Sequence, residues 1–182
     1  MSEPENSSKP VEPSLVAKAA EALKLIKSKS AADRQRALSL FQEAAEAGYA
    51  PAQYNLASIY MGNLVGKDTE KALHWFSLAA EAGDFDAMFN IAYIYDRGFL
   101  GEQDMEQARF WYARAAKAGS GRAQYDLAAI YQHGRGVAVD LEKALYWYDR
   151  ARQSGVARAL PNFEEIKAAL QARQDGKTAP RE

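Results

Sequence analysis

The amino-acid sequence predicts an all-α fold, a solenoid of antiparallel helix pairs, because one pattern recurs with a fixed period. The clearest copy of the pattern runs from Asp104 to Gly119, and the same skeleton occurs at 68–83 and at 140–155. The tryptophans of the chain all occupy one position of this skeleton, at 36-residue intervals: Trp75, Trp111 and Trp147. A period of this size is typical of stacked helical repeats. Each period also contains a second helical pattern, which predicts two helices per repeat.

Each copy of the skeleton has the features of a helix that begins at an aspartate and ends before a glycine. In the central copy, Asp104 is suited to cap the N-terminus, and Glu106 places negative charge in the first turn. Ala108, Trp111 and Ala115 follow at helical spacing, which puts a small–large–small series on one face. We therefore expect the tryptophans to pack in the core, with Trp111 at its centre.

The segments before these repeats divide into a tail and a helix pair. Residues 1–13 are polar and acidic, with three prolines, so we expect a disordered tail. A helix pair over 14–48 follows, with Ser14 and Asp33 as the expected N-caps of its two helices. Together with the repeats, this pair belongs to one predicted domain, residues 14–173.

Each full repeat begins with a leading helix, in which a large residue and an alanine stand side by side. The sequence predicts three such repeats and a final capping helix with a polar outer face, about ten helices in all. The last residues are polar and form a predicted flexible tail. The predicted ranges are 52–83, 87–119 and 123–155 for the repeats, 158–173 for the capping helix and 174–182 for the tail.

The composition is that of an ordinary globular protein, with 48% hydrophobic and 26% charged residues. The net charge is −1, from 23 basic and 24 acidic side chains, so no overall field favours nucleic acid. The absence of cysteine excludes disulfides, thiol catalysis and cysteine-ligated zinc. Neither a secretory signal nor an apolar run of membrane-spanning length is present, so we expect a cytoplasmic protein without an integral membrane segment.

The repeat pattern resembles that of the SEL-one-like repeat family, longer relatives of tetratricopeptide repeats. The leading helix reads A-x-x-x-L-A-x-x-Y, and a glycine-rich loop and D-x-x-K-A-x-x-W-x-x-x-A-A-x-x-G follow it. The resemblance covers about Asp33 to Ala159 and implies a right-handed α-solenoid that works as an adaptor for protein complexes. A few exported, cysteine-rich members are described as binding or cleaving β-lactams, but this chain has neither cysteine nor an S-x-x-K motif.

Motifs for catalysis or cofactor binding are weak. The loop from Gly62 to Lys67 has three residues between its glycines where a phosphate loop needs four, and Asp68 follows the lysine. His74 and His133 are too few for a catalytic zinc site, which usually has three protein ligands. We therefore predict no enzyme, no cofactor and no metal. A hydrolytic enzyme with an unrecognised site is the least favoured alternative.

The predicted function is binding of a peptide or a partner helix on the concave face, by a monomeric scaffold. A self-assembling structural solenoid is the main alternative. Alignment of the leading helices with tetratricopeptide repeats, through the shared L-A-x-x-Y, places one aromatic position on the concave side. The residues there are Tyr54, Phe89 and Tyr125, and one turn further on stand Ser58, Tyr93 and Ala129.

Polar residues at the ends of the leading helices would form the margin of this site. They are Asp96, Arg97, Gln132 and His133. We expect Phe89 and Tyr125 to be partly exposed and to contact the partner, with Arg97 pairing to an acidic group. The alternative is that the aromatic rings only pack between adjacent leading helices.

Overall fold

The computed structural model describes residues 12–62, 64 and 66–178, and the side chains as far as residue 175. Over these ranges the chain forms α-helices and no strands, which confirms the predicted all-α repeat fold. There are nine helices in the described ranges, one fewer than the expected ten or so. They are α1 (Pro13–Leu25), α2 (Ala31–Glu46), α3 (Ala50–Met61), α4 (Thr69–Glu81), α5 (Phe85–Arg97), α6 (Met105–Lys117), α7 (Gly121–His133), α8 (Leu141–Gln153) and α9 (Ala159–Thr178). None of these helices combines the length and the apolar character that crossing a bilayer requires.

The chain divides into two compact units, residues 1–79 and residues 80–182. In the first unit, α1 packs on α2 and α2 packs on α3. In the second, α5 pairs with α6 and α7 pairs with α8, while α6–α7 and α8–α9 contacts join these pairs. The single domain expected over 14–173 stays a prediction.

The first helix pair begins at different residues from those the sequence predicts. Helix α1 starts at Pro13, whose fixed φ suits the first helical turn, and Ser14 makes no capping bond. Helix α2 starts at Ala31 because the Ser30 side chain accepts a hydrogen bond from the Asp33 backbone N–H at 3.3 Å. Asp33 is therefore the third residue of α2 and not its cap. Its carboxylate instead accepts a hydrogen bond from the Ser28 hydroxyl at 2.6 Å.

The last helix extends beyond the C-terminal boundary that the sequence predicts for the capping helix. Helix α9 continues past Arg173 to Thr178, into the predicted flexible tail. Most of the predicted disordered tail, residues 1–11, lies outside the described residues, as do residues 179–182.

The helices that follow the glycine-rich loops begin as predicted, at aspartate caps. Asp68, Asp104 and Asp140 each accept a hydrogen bond from the backbone N–H three residues later, at 3.0, 2.9 and 2.9 Å. The leading helices α3, α5 and α7 start two residues earlier than expected. Asp84 and Ser120 cap α5 and α7, since their side chains accept from the N–H groups three residues on.

The fully buried aromatic of each trailing helix is the residue after the tryptophan position. Phe41, Phe76, Tyr112 and Tyr148 are each 1% exposed, whereas the three tryptophans are half-buried. The expectation that Trp111 lies at the centre of the core was therefore wrong. Tyr112, Ala108 and Ala115 face the leading helix. Trp111 lies about 100° round the helix from Tyr112, at the margin of the core. There the Arg114 guanidinium covers its ring at 4.7 Å.

A buried glutamine joins successive helices in both units. Gln53 is 6% exposed and Gln124 is 1% exposed. In each case the side-chain amide donates to a backbone carbonyl eight residues earlier, that of Ala45 or Ala116, at 3.1 Å. Each of these carbonyls also accepts a hydrogen bond from the backbone N–H three residues later, so the glutamine adds a second bond that ties the leading helix to the end of the preceding helix.

We predict that Tyr148→Ala lowers the free energy of unfolding by about 3–5 kcal/mol, the usual cost of deleting a buried large aromatic side chain. Trp147→Ala is the matched control on the same helix and should cost less, because Trp147 is only half-buried. Urea unfolding followed by circular dichroism measures both. An equal or larger loss for Trp147→Ala would contradict the assignment of Tyr148 to the core.

Candidate functional site

The three predicted leading-helix aromatics make one recurring contact. Each is half-buried and packs on the buried aromatic of the trailing helix in its own repeat. The ring centroids are 5.7 Å apart for Tyr54–Phe76, 5.6 Å for Phe89–Tyr112 and 5.3 Å for Tyr125–Tyr148. Each ring therefore packs on the trailing helix of its own repeat, and part of each ring stays exposed.

The second unit contains a cleft of about 440 Å³. Four of the predicted site residues line it: Phe89, Tyr93, Asp96 and Arg97, all from α5. Its other lining residues come from α6, α7 and the segments that follow α7 and precede α9. They are Tyr112, Arg122, Asp126, Ala129, Arg135 and Arg158.

The remaining predicted site residues do not line this cleft. Tyr54 and Ser58 belong to the first unit, where the Ser58 hydroxyl donates to the Tyr54 carbonyl at 2.9 Å. Gln132 accepts a hydrogen bond from the Tyr148 hydroxyl at 2.7 Å, so it supports the trailing helix. His133 is the exposed last residue of α7, and Tyr125 lies beneath the Arg158 guanidinium at 4.0 Å.

Asp96 is buried, at 7% exposed, although the sequence predicts it in a polar margin. Its carboxylate accepts a hydrogen bond from the Tyr112 hydroxyl at 3.2 Å and pairs with the Arg135 guanidinium. Burial, together with the nearby Asp126 and Asp96 carboxylates, raises the pKa of the Tyr112 hydroxyl well above its ordinary value. Asp96 therefore accepts from a neutral phenol and a charged guanidinium, and links α5, α6 and the loop after α7.

The loop that carries Arg135 is held by two glycines. Gly134 ends α7 with a φ of 66°, and Gly136 has the same φ. Residues with a side chain rarely adopt this backbone conformation. A Cβ atom on Gly136 would lie 2.6 Å from the Cβ of Met105, so no side chain fits there. The Arg135 N–H also donates to the Ile130 carbonyl at 3.1 Å. The backbone thus directs Arg135 towards Asp96.

Two arginines that stand one repeat period apart border the cleft, and the sequence analysis missed both. The Arg122 guanidinium lies over the Phe89 ring at 4.5 Å and pairs with Asp86 at 2.7 Å. One period later, Arg158 lies over the Tyr125 ring and pairs with Asp126 at 3.7 Å. In the sequence, Arg122 stands directly before Ala123 and Arg158 directly before Ala159. This shared position could have revealed both arginines.

Arg97 differs from the other arginines of the cleft. Its side chain is exposed and lies over the Tyr93 ring at 5.4 Å. Arg122, Arg135 and Arg158 all pair with aspartates, but Arg97 makes no ion pair with a carboxylate in the described part of the chain. The cleft can therefore accept one further anionic group at Arg97, beside the half-buried rings of Phe89 and Tyr93.

Comparison with known proteins gives a consistent result. A family model described as the Sel1 repeat matches residues 28–49, 50–84, 85–120 and 121–156. A Sel1 repeat protein from Oxalobacter formigenes is 28% identical with a TM-score of 0.74, over 87% of this chain and 66% of that one. A protective antigen of uropathogenic Escherichia coli with an SLR fold is 31% identical with a TM-score of 0.72, over 84% of this chain and 33% of that one.

An immunity protein from Pseudomonas aeruginosa is 25% identical with a TM-score of 0.56, over 83% of this chain and 56% of that one. This chain thus spans less than two thirds of the length of each of these three proteins. No match was found among curated protein sequences.

We predict that Asp96→Asn lowers the free energy of unfolding by about 1–3 kcal/mol, because it removes the charge that pairs with Arg135 at a buried position. Asp149→Asn is the matched control, since Asp149 pairs with Arg152 at 2.6 Å on the surface. That pair should contribute about 0–1 kcal/mol. Equal losses in urea unfolding for the two variants would show that burial adds nothing to the Asp96 pair.

The pKa of Asp126 provides a pH-dependent prediction. Burial raises this pKa above its ordinary value, against the opposing effect of Arg158. The native state then holds the Asp126 proton more tightly than the unfolded chain does. This stabilising contribution is complete below the unfolded pKa of about 3.9 and is lost as pH rises through the folded pKa.

We therefore expect Asp126→Asn to gain stability relative to the native protein as the pH rises from about 4 to 7, since asparagine cannot ionise. Urea unfolding of both proteins at a series of pH values measures the difference. A difference that stays constant, or that shrinks as pH rises, would show that the Asp126 pKa is not raised.

Proposed function

This chain belongs to the Sel1 repeat family, and we propose that it is a non-catalytic adaptor that holds a segment of a partner protein in the cleft of its second unit. Sel1 repeat proteins are generally protein-interaction scaffolds. The cleft is the feature of this chain best suited to that work. The ligand we propose is a peptide segment or helix of a partner protein that carries an apolar side chain and a carboxylate.

One observation carries the proposal: a single cleft combines half-buried aromatic rings with an arginine that has no carboxylate partner in the described residues. Aromatic and arginine side chains dominate the binding energy of protein interfaces, particularly where neighbouring groups exclude water. Phe89 is rigid because its ring rests on Tyr112 at 5.6 Å, so a ligand orders it at little entropic cost. Arg97 would then pair with the ligand carboxylate.

The electrostatics of the cleft favour an acidic ligand. Four arginines line it and two aspartates oppose them. Asp96 and Asp126 are already paired with arginines, so their charges are largely compensated. A volume of about 440 Å³ lies within the range of sites that bury a few ligand groups. A short stretch of a partner, with one acidic and one or two apolar side chains, fits these properties.

The test starts from a displayed library of random peptides, selected on the whole protein and measured by calorimetry. We expect the selected sequences to combine acidic and apolar residues. The double variant Phe89→Ala with Tyr125→Ala should weaken their binding at least about tenfold, or roughly 1.4 kcal/mol. The double variant must first be shown by thermal melting to stay folded, because both rings also pack on the trailing helices.

Two matched controls separate the cleft from general effects. Phe85→Ala removes an aromatic of α5 that is 42% exposed and does not line the cleft, so binding should be unchanged. Arg97→Glu should abolish binding of the acidic peptides, whereas Arg173→Glu, an equal charge change on exposed α9, should not. If the double variant binds the selected peptides as tightly as the native protein does, the cleft is not the site.

The monomeric state and the cytoplasmic location remain predictions for this chain. Light scattering after size-exclusion chromatography tests the first directly. A concentration-dependent rise in mass would favour the self-assembling solenoid instead.

A further inference from the structure

A second surface of the same unit differs from the cleft in both position and charge. We call it the α6 groove, and it has a volume of about 290 Å³. Six of its lining residues lie on α6, and the seventh lies on α7. They are Glu106, Arg109, Phe110, Ala113, Arg114, Lys117 and Tyr131.

The α6 groove lies on a different side of α6 from the cleft. Tyr112 lines the cleft and Phe110 lines the groove. Residues two positions apart on a helix point about 200° apart, so these side chains face nearly opposite directions. A ligand in the groove therefore leaves the cleft unobstructed.

The groove contains basic side chains that form no ion pair within the part of the chain that the structure describes. Arg109, Arg114 and Lys117 make no ion pair with a carboxylate in the described ranges, in contrast to the paired arginines of the cleft. The Nε atom of Arg109 is buried and has no hydrogen-bond partner there. A buried N–H without an acceptor is unfavourable, so an acidic group that enters the groove would satisfy it.

An exposed aromatic accompanies these charges. Phe110 is 53% exposed, and its ring packs on Trp111 at a centroid distance of 5.5 Å. The Arg114 guanidinium lies near both rings, at 5.8 Å from Phe110 and 4.7 Å from Trp111. An apolar side chain of a ligand can cover Phe110, and a carboxylate of the same ligand can then reach Arg114.

The charges are unevenly distributed along α6. Glu106 stands in the first turn, and Lys117 is the last residue of the helix, about 16 Å away along the axis. A continuous anionic surface, such as a phospholipid bilayer or a nucleic-acid backbone, would be repelled by Glu106. A peptide can place its carboxylates at the Lys117 end only and leave Glu106 to solvent.

We propose that the α6 groove binds an acidic segment of a partner protein, with its carboxylates at Arg114 and Lys117 and an apolar side chain on Phe110. The surface is separate from the cleft, so the chain can hold two segments at once. A partner helix antiparallel to α6 has the matching charge order, because acidic residues are favoured in the first turn of a helix.

The probe is a fluorescein-labelled helical peptide of about 14 residues, with glutamates in its first two turns and leucines on one face. Its binding to the whole protein is measured by fluorescence anisotropy. We expect the double variant R114Q/K117Q to weaken binding at least about tenfold. The control K167Q/R173Q removes the same charge from exposed α9 and should change binding less than about twofold.

Two further variants assign the contact. Arg109→Lys keeps the charge but removes the buried Nε donor, so it should weaken binding with little change in melting temperature. Phe89→Ala with Tyr125→Ala, which removes the Phe89 ring from the cleft and the ring beneath Arg158, should leave the binding of this probe unchanged. Unchanged binding would show that the probe binds the α6 groove and not the proposed cleft site, whatever the result of the cleft experiment.

Three results would overturn the proposal. The first is no binding of the probe, and the second is an equal loss of binding in R114Q/K117Q and in K167Q/R173Q. The third is tighter binding of phosphatidylserine vesicles or of a single-stranded RNA than of the peptide, with the same dependence on Arg114 and Lys117. That result would assign the groove to a phosphate-bearing surface instead.

Discussion

One aromatic contact joins the two helices of each full repeat: an aromatic of the leading helix packs against a fully buried aromatic of the trailing helix. The centroid distances, 5.3–5.7 Å, are those of favourable edge-on pairs. Alanines beside the buried ring, such as Ala108 and Ala115 next to Tyr112, are 0% exposed and let the helices approach closely. The position of each leading helix, and with it the geometry of the cleft, depends on this contact.

In the proposed function, the same rings combine packing with recognition at one position. Phe89 and Tyr125 each rest on the trailing helix, and an arginine 33 residues later in the chain covers another part of each ring. Arg122 and Arg158 are themselves anchored by Asp86 and Asp126. A ligand at Phe89 therefore meets a rigid aromatic surface with an adjacent cation, a combination that favours binding with little loss of entropy.

Helix α6 separates two surfaces whose charges are satisfied differently. On the cleft side, Asp96 joins Tyr112 and Arg135 in a buried network that holds three elements in place. Arg97, also on the cleft side, has no carboxylate partner in the described residues, and neither do Arg114 and Lys117 on the other side. Breaking a buried ion pair is strongly destabilising, so Arg135 is committed to the fold, whereas a cation without a carboxylate partner can bind one from another protein. We therefore assign Arg135 to the structure, and the two proposals assign Arg97, Arg114 and Lys117 to binding.

The sequence by itself determined the repeat period, the helix pairs, the aspartate caps of α4, α6 and α8 and the aromatic position that contains Phe89, because these depend on local spacing and capping. Only the tertiary structure decided which ring is buried, since Trp111 and Tyr112 are adjacent and either can satisfy a helical pattern. It also decided that Asp96 is buried, and that Arg122, Arg135 and Arg158 line one cleft together with it. Those arginines come from three segments up to 36 residues apart in sequence, and their convergence follows from helix packing rather than from any local pattern.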